Sequence, residues 1–240
     1  MSVSSLSKMA ALCIVLGLTA CEQKAGEQKT RVDVIEWGEA KKVRFPVIQT
    51  GDAKTSDKIN QDLKVRFFGD ESANLTTDSA LKRWVSELSG EVDFEVTYLE
   101  KGVASFQLSG SSFGLYSDWT KYFTYSTSTG EYLGIGQIVD TVGAFRARVL
   151  ADRKSLYEKG RMAFLQELGE SESDVSQWEK NEYDACAESE SMNSFALYPD
   201  SLVILDPCQF PRAIQAVQPD FPLTYRLAEI RQHLRLSSLR

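Results

Sequence analysis

Histidine is almost absent from this chain. His233 is the single one in 240 residues, and that excludes metal centres built on clustered imidazoles. Cysteine is sparse, at positions 13, 21, 186 and 208, and no C-x-x-C spacing occurs. A thioredoxin-like dithiol or a zinc ribbon therefore has nothing to build on. No EF-hand loop offers a calcium site, and no cofactor motif is present. No apolar run reaches the roughly 20 residues that a membrane-spanning helix needs. Basic residues are outnumbered, 27 Lys and Arg against 34 Asp and Glu, for a net charge of −7. A nucleic-acid-binding face needs the opposite balance. There are no internal repeats and no low-complexity blocks.

What is present begins with an address. Lys8 and the amino terminus precede a ten-residue apolar run over 9–18, the length of a secretory h-region. The run ends in Leu18-Thr19-Ala20-Cys21, which resembles a bacterial lipobox. Cys21 is thus the expected lipidation site, acylated with palmitate-type chains after cleavage at residue 20. Several acyl chains anchor stably where one is marginal, at about 0.8 kcal/mol per buried methylene. Glu22, rather than Asp, follows the cysteine, which by resemblance to sorted lipoproteins implies the outer membrane of a two-membrane bacterium, facing the periplasm. The expected division is a signal peptide over 1–20, the lipidated cysteine and a polar tether over 21–31, and a folded domain over 32–240.

Processing would leave 26 basic and 34 acidic residues, a net charge near −8. That field steers cationic partners inward and is repelled by anionic membrane surfaces. Cys186 and Cys208 are then the remaining cysteines, and an even pair in an exported chain reads as one disulfide.

Hydrophobic periodicity outlines the domain. Residues 31–37 and 41–48 read as strands, with Pro46 marking an edge or a bulge. Ile59, Leu63 and Phe67 share one helical face, with Thr55, Ser56 or Asp57 as the expected cap. Leu81, Trp84, Val85 and Leu88 stripe a second helix from Thr77, stopped by Gly90. Val92, Phe94, Val96 and Tyr98 then alternate with polar residues as one face of a strand. Residues 103–110, 119–127 and 132–139 complete an expected four-stranded meander. A long helix is expected over 141–168, with Val142, Phe145, Val149, Leu156, Phe164 and Leu168 as its apolar positions. The acidic stretch 167–190 reads as helix plus loop, residues 195–205 as strand-turn-strand around Pro199-Asp200, and 223–234 as a strand and short helix. Strands and helices come in runs, which predicts an α+β class: an antiparallel meander packed against helices. About 210 residues suffice for a single domain, with room for two sub-lobes.

Three motifs carry a family resemblance. They are "FPV" at 45–47 with "KIN" at 58–60, the meander with its "TGE-x-L" turn at 129–133, and "FALYPDSLVILDPCQFPRAIQA" at 195–216. Together they resemble an extracytoplasmic domain of unknown function found in RsiV-type anti-sigma factors, which sense lysozyme, and in PdaC-type peptidoglycan deacetylases. The resemblance spans about residues 40–240 and implies a cell-envelope role. Many relatives carry Gly-Gly-Ala-His after the second meander strand, whereas this chain has "GSSFGLYSD" there. No role of that histidine carries over, no lysozyme-contact motif can be matched, and the membrane helix of the anti-sigma relatives is missing.

That same segment, Gly110-Ser111-Ser112-Phe113-Gly114, spells G-x-S-x-G, the nucleophile elbow of many esterases. Ser112 would be the nucleophile and His233 its base. An elbow needs strand, turn, then helix, and the residues after Ser112 favour a strand instead. The reading adopted is a turn between two strands of the meander. The aromatics Tyr116, Trp119, Tyr122, Phe123 and Tyr125 could offer a sugar-stacking platform, although strand alternation sends about half of them into the core. The expected function is a lipid-anchored, non-catalytic binding or scaffold domain. Its ligand would be a cell-wall-associated protein, cationic and lysozyme-like, or a glycan. The alternative is an envelope hydrolase using Ser112.

Overall fold

The computed structural model describes residues 29–38, 43–88, 91–112, 117–169, 177–205, 208, 210 and 222–240. Cys21, the expected signal peptide and most of the expected tether lie outside them, as do Phe113, Gly114, Tyr116, Gly90 and the middle of the acidic stretch.

The order is β1 (Arg31–Trp37), β2 (Val43–Gln49), α1 (Ala53–Phe68), α2 (Thr77–Leu88), β3 (Glu91–Glu100), β4 (Val103–Ser112) and β5 (Ser117–Ser126). There follow α3 (Ile135–Ile138), α4 (Ala144–Leu168), α5 (Gln177–Ala187), β6 (Phe195–Leu197), β7 (Ser201–Ile204) and β8 (Leu223–Arg226). Strands β1 to β5 form one sheet in sequence order, and β6 to β8 form a second. The class is α+β in a single domain. The larger sheet is mixed, because α1 and α2 carry the chain across and lay β3 parallel to β2, where Val43 meets Val92.

Helix α1 starts earlier than expected. Its cap is Asp52, whose Oδ2 accepts from the Thr55 backbone at 2.9 Å and the Thr55 hydroxyl at 2.7 Å. Thr55 and Ser56 sit inside the first turn, and Ser56 Oγ instead accepts from Thr50 N at 2.8 Å. Ile59, Leu63 and Phe67 are buried as their spacing predicts. Phe67 and Phe68 meet Trp84 of α2 with ring centroids 5.3 and 5.7 Å apart.

Pro46 makes no bulge, and it lies on a stretch of β2 whose β3 side is an open edge. It sits within β2 in unbroken register opposite Val34, beyond the single point where β2 meets β3. Its missing N–H therefore interrupts no ladder on the β3 side.

The hairpin between β3 and β4 turns on Lys101 and Gly102, both at positive φ (50° and 78°), as a tight two-residue turn requires. A register shift at Thr97 splits the expected apolar face of β3. Val92, Phe94 and Val96 pack toward α1 and α2, whereas Tyr98 joins the opposite core. A bulge inverts the side-chain alternation beyond it.

The expected fourth meander strand is absent. Tyr132 makes one bridge to Tyr125, and the chain then enters α3. Ile135 and Ile138 are three apart and both buried. A strand would send them to opposite faces, whereas one helical turn sends both inward.

Helix α4 begins at Ala144, and Val142 is 81% exposed outside it. Its buried line is Phe145, Val149, Arg153, Tyr157 and Leu165, not Leu156 or Phe164. Arg153 is fully buried. Its Nη2 donates to Ser191 O at 2.6 Å and its Nη1 to Ser189 O.

Two large cores share the main sheet. One lies between the sheet and α1/α2. The other gathers α3, α4, β6–β8 and the carboxyl terminus around Tyr98 and Val103. A small third cluster, Tyr157, Tyr183, Cys186 and Phe210, surrounds the Cys186–Cys208 disulfide, whose Cα atoms are 5.7 Å apart.

Candidate functional site

Residues of two of the three motifs that carry the family resemblance converge on one structural lock. From "KIN", Lys58 Nζ donates to Thr129 O at 3.1 Å and pairs with Glu131 at 3.7 Å. Ile59 fills the core. Asn60 accepts from Ile48 N at 2.8 Å and donates to Ile48 O at 2.9 Å, next to "FPV". From "TGE", Gly130 lies at φ +70°, and a Cβ there would stand 3.0 Å from Thr55 O and 3.2 Å from Lys58 Cβ. These contacts hold helix, strand and turn together, and they explain the motifs by packing.

Of the elbow motif, the described backbone runs from Gly110 to Ser112, and Phe113 and Gly114 lie outside the described residues. Ser112 ends β4 and pairs with Ser117, the first residue of β5, so a strand and not a helix follows it. The strand–turn–helix frame of a nucleophile elbow is not the frame found here. His233 lies in a 3₁₀ turn, Arg231–His233, with its ring 5.9 Å from that of Phe145 and its Nε2 3.2 Å from Gln232 Nε2. Of the aromatic stretch, Phe123 and Tyr125 are in the core and Tyr122 points to the other face, half-buried. The side chain of Trp119 is outside the described residues.

That other face is the candidate site. Strand β3 carries Glu91, Asp93 and Glu95 on alternate positions, all exposed. Strand register sets them in rows across the sheet: Glu95–Gln107–Tyr122, then Asp93–Ser109–Thr120. The next row toward the second core, Tyr98–Ser105–Thr124, is covered. There Ser105 Oγ lies 3.0 Å from Thr124 Oγ1 and accepts from Leu197 N of β6 at 3.4 Å. Strand β6 thus lands on the sheet and forms a step, and Tyr198, directly after it, stands at the edge.

Charge at this step is distinctive. Asp93 is paired with Arg44 at 2.8 Å. Glu95 makes no ion pair among the described residues. Tyr122 is held above the ordinary phenol range by burial, then by Tyr198 and by the Glu95 charge. Tyr198 is raised by burial and by Glu95. Both phenols therefore stay neutral and can donate, beside an uncompensated carboxylate and the Gln107 amide. Such a surface can hold ammonium or guanidinium groups, or the hydroxyls of a sugar. Sequence reasoning missed Glu95, Gln107 and Tyr198 as a group, since only the long-range landing of β6 brings them together. Among the described residues, no cluster of His, Cys, Asp and Glu is arranged to hold a metal ion.

No protein-family model matches the chain, and no curated protein matches it significantly. Solved structures do. The fold is similar to that of a DUF3298 family member from Bacteroides fragilis NCTC 9343, with TM-score 0.52 and 10% identity over 86% of this chain and 93% of that one. It is also similar to a DUF3298 family protein from Pseudomonas aeruginosa PAO1, with TM-score 0.50 and 10% identity over 88% and 95%. At that identity the likeness establishes the fold, shared with bacterial proteins of unknown function.

Proposed function

We propose that this chain is a lipid-anchored, non-catalytic binding or scaffold domain of the bacterial envelope. In this reading Cys21 carries the lipid and the domain faces the periplasm from the outer membrane. The partner is a cationic, lysozyme-like cell-wall-associated protein, with a cell-wall glycan as the second ligand class. The observation that carries the reading is the Glu95 carboxylate, without an ion pair among the described residues, whose charge acts on both Tyr122 and Tyr198 on an open acidic strand. The net charge, the resemblance to lysozyme-sensing domains and the DUF3298-type fold support it.

The test is capture of lysozyme, and separately of soluble glycan-strand fragments, by the immobilised domain at low and high ionic strength. Salt-sensitive lysozyme binding that Glu95→Gln weakens is the expected result. No binding of either ligand at low ionic strength overturns the reading. The hydrolase alternative is tested by turnover of a p-nitrophenyl ester, and turnover lost in Ser112→Ala would replace the binding reading. Anchoring is tested by Cys21→Ser, which should move the protein out of the membrane fraction.

A further inference from the structure

A second polar site lies on the α1 side of the sheet, away from the step at Glu95. A groove of about 470 Å³ runs between α1 and residues 130–137, lined by Lys58, Asp62, Arg66, Glu131, Tyr132 and Gln137. That volume falls within the ~300–1,000 Å³ of small-ligand sites.

Its acceptors are largely engaged. Asp62 Oδ2 accepts from the hydroxyl of buried Tyr125 at 2.9 Å and from Arg66 Nε at 2.6 Å. Glu131 is paired with Lys58, and Lys58 also donates to Thr129 O. Gln137 Oε1 accepts from Gly134 N at 2.7 Å, which directs its Nε2 donor elsewhere.

The donors are only partly engaged. Arg66 is fixed along its Nε edge by Asp62 and on its face by Tyr132, whose ring centroid is 3.9 Å from the guanidinium carbon. Its two Nη groups make no hydrogen bond among the described residues, and neither does Gln137 Nε2. An arginine held on an edge and a face has already lost the rotamer freedom that binding would otherwise cost. What it leaves open is the planar pair of N–H groups that matches a carboxylate in bidentate fashion.

We propose that this groove binds a small carboxylate-bearing ligand, with the carboxylate in the Arg66 fork and Gln137 Nε2 as an additional donor. Asp62 and Tyr132 are positioning residues. Asp62 already pairs with Arg66 along the Nε edge and Glu131 with Lys58, so recognition rests on the open Nη groups and not on a surplus of positive charge. A tetrahedral anion can present two oxygens to the same fork, so phosphate is the competing chemistry that a titration must separate from the carboxylate.

The test is calorimetric or NMR titration of the domain with N-acetylalanine, N-acetylalaninamide and inorganic phosphate. The acid should bind, and the amide about tenfold more weakly or not at all, because its terminal carboxamide offers the fork one acceptor and no charge. Arg66→Lys keeps the charge and loses the fork, so it should weaken the acid by about tenfold or more. No binding of the acid, equal binding of acid and amide, or tighter binding of phosphate overturns the proposal. So does an Arg66→Lys protein that melts like the wild type and binds the acid equally well. The comparison of acid with amide uses the unmodified protein and does not depend on the variant folding.

Discussion

Asn60 of α1 bonds both the N–H and the C=O of Ile48, at 2.8 and 2.9 Å, so a helix side chain stands where a neighbouring strand would be. Removing it leaves two backbone groups beside the core without partners. Asn60→Leu should cost about 2–4 kcal/mol, one desolvated polar group at a time. Asn60→Asp is more diagnostic. A carboxylate can accept from Ile48 N but sets oxygen against oxygen at Ile48 O. Its folded pKa should rise, so the variant should recover stability as pH falls through that pKa. Urea melts of this variant across the acidic range would show the recovery, and a flat profile would count against it.

Gly130 sits at φ +70° with the Thr55 carbonyl 3.0 Å from where a Cβ would be. Gly130→Ala combines left-handed strain with a backbone clash and should destabilise by about 1–3 kcal/mol. Gly102 at φ +78° has open space around it, so Gly102→Ala should carry only the conformational part. Comparing the two midpoints separates strain from contact.

Tyr125 donates to Asp62, and Tyr225 donates to Asp152 at 3.0 Å. Burial and then the adjacent carboxylate hold both phenols well above the ordinary 10.0. In the unfolded chain they would ionise near that value, while the folded chain keeps both protons. Stability is therefore whole below about pH 10 and declines as pH rises beyond it. Ultraviolet titration should show these two tyrosines ionising together with unfolding, not before it. Tyr125→Phe should cost about 1–2 kcal/mol and flatten the alkaline decline.

The disulfide closes a separation of 22 residues. Replacing Cys186 and Cys208 with alanine should cost about 3 kcal/mol in the chain-entropy picture. The Tyr157–Tyr183–Phe210 cluster is small and separate from the main cores. Hydrogen exchange should therefore quicken in α5 first, leaving β3–β5 protected. Uniform acceleration would mean that the bridge supports the whole domain.

Much of this architecture was legible because local signals agreed with it. The α1 stripe, the Lys101-Gly102 turn, the strand pair around Pro199-Asp200 and the cysteine pair all follow from spacing or turn chemistry. Two of the errors share a cause. Thr97 interrupts a perfect alternation without any local mark, because the bulge answers to the second core that receives Tyr98. Arg153 occupies an apolar position because the carbonyls of Ser189 and Ser191 reach it from across the fold, and no periodicity rule expects a guanidinium there. Ile135 and Ile138 could sit on a strand by composition, and their spacing of three argued for a turn of helix. The Asp62–Arg66 pair was readable as an i,i+4 contact, but Tyr132 above it was not.

The single parallel junction between Val43 and Val92 also has a kinetic consequence. Strands β3, β4 and β5 find one another through neighbouring hairpins, whereas β2 reaches β3 only after α1 and α2 have closed the crossover between them. Loop-closure entropy therefore places the β1–β2 hairpin last in the order of assembly. Truncation at Phe106 should slow folding, and truncation at Phe45 should instead speed unfolding, a polarity that a chevron comparison of the two variants would reveal or refute.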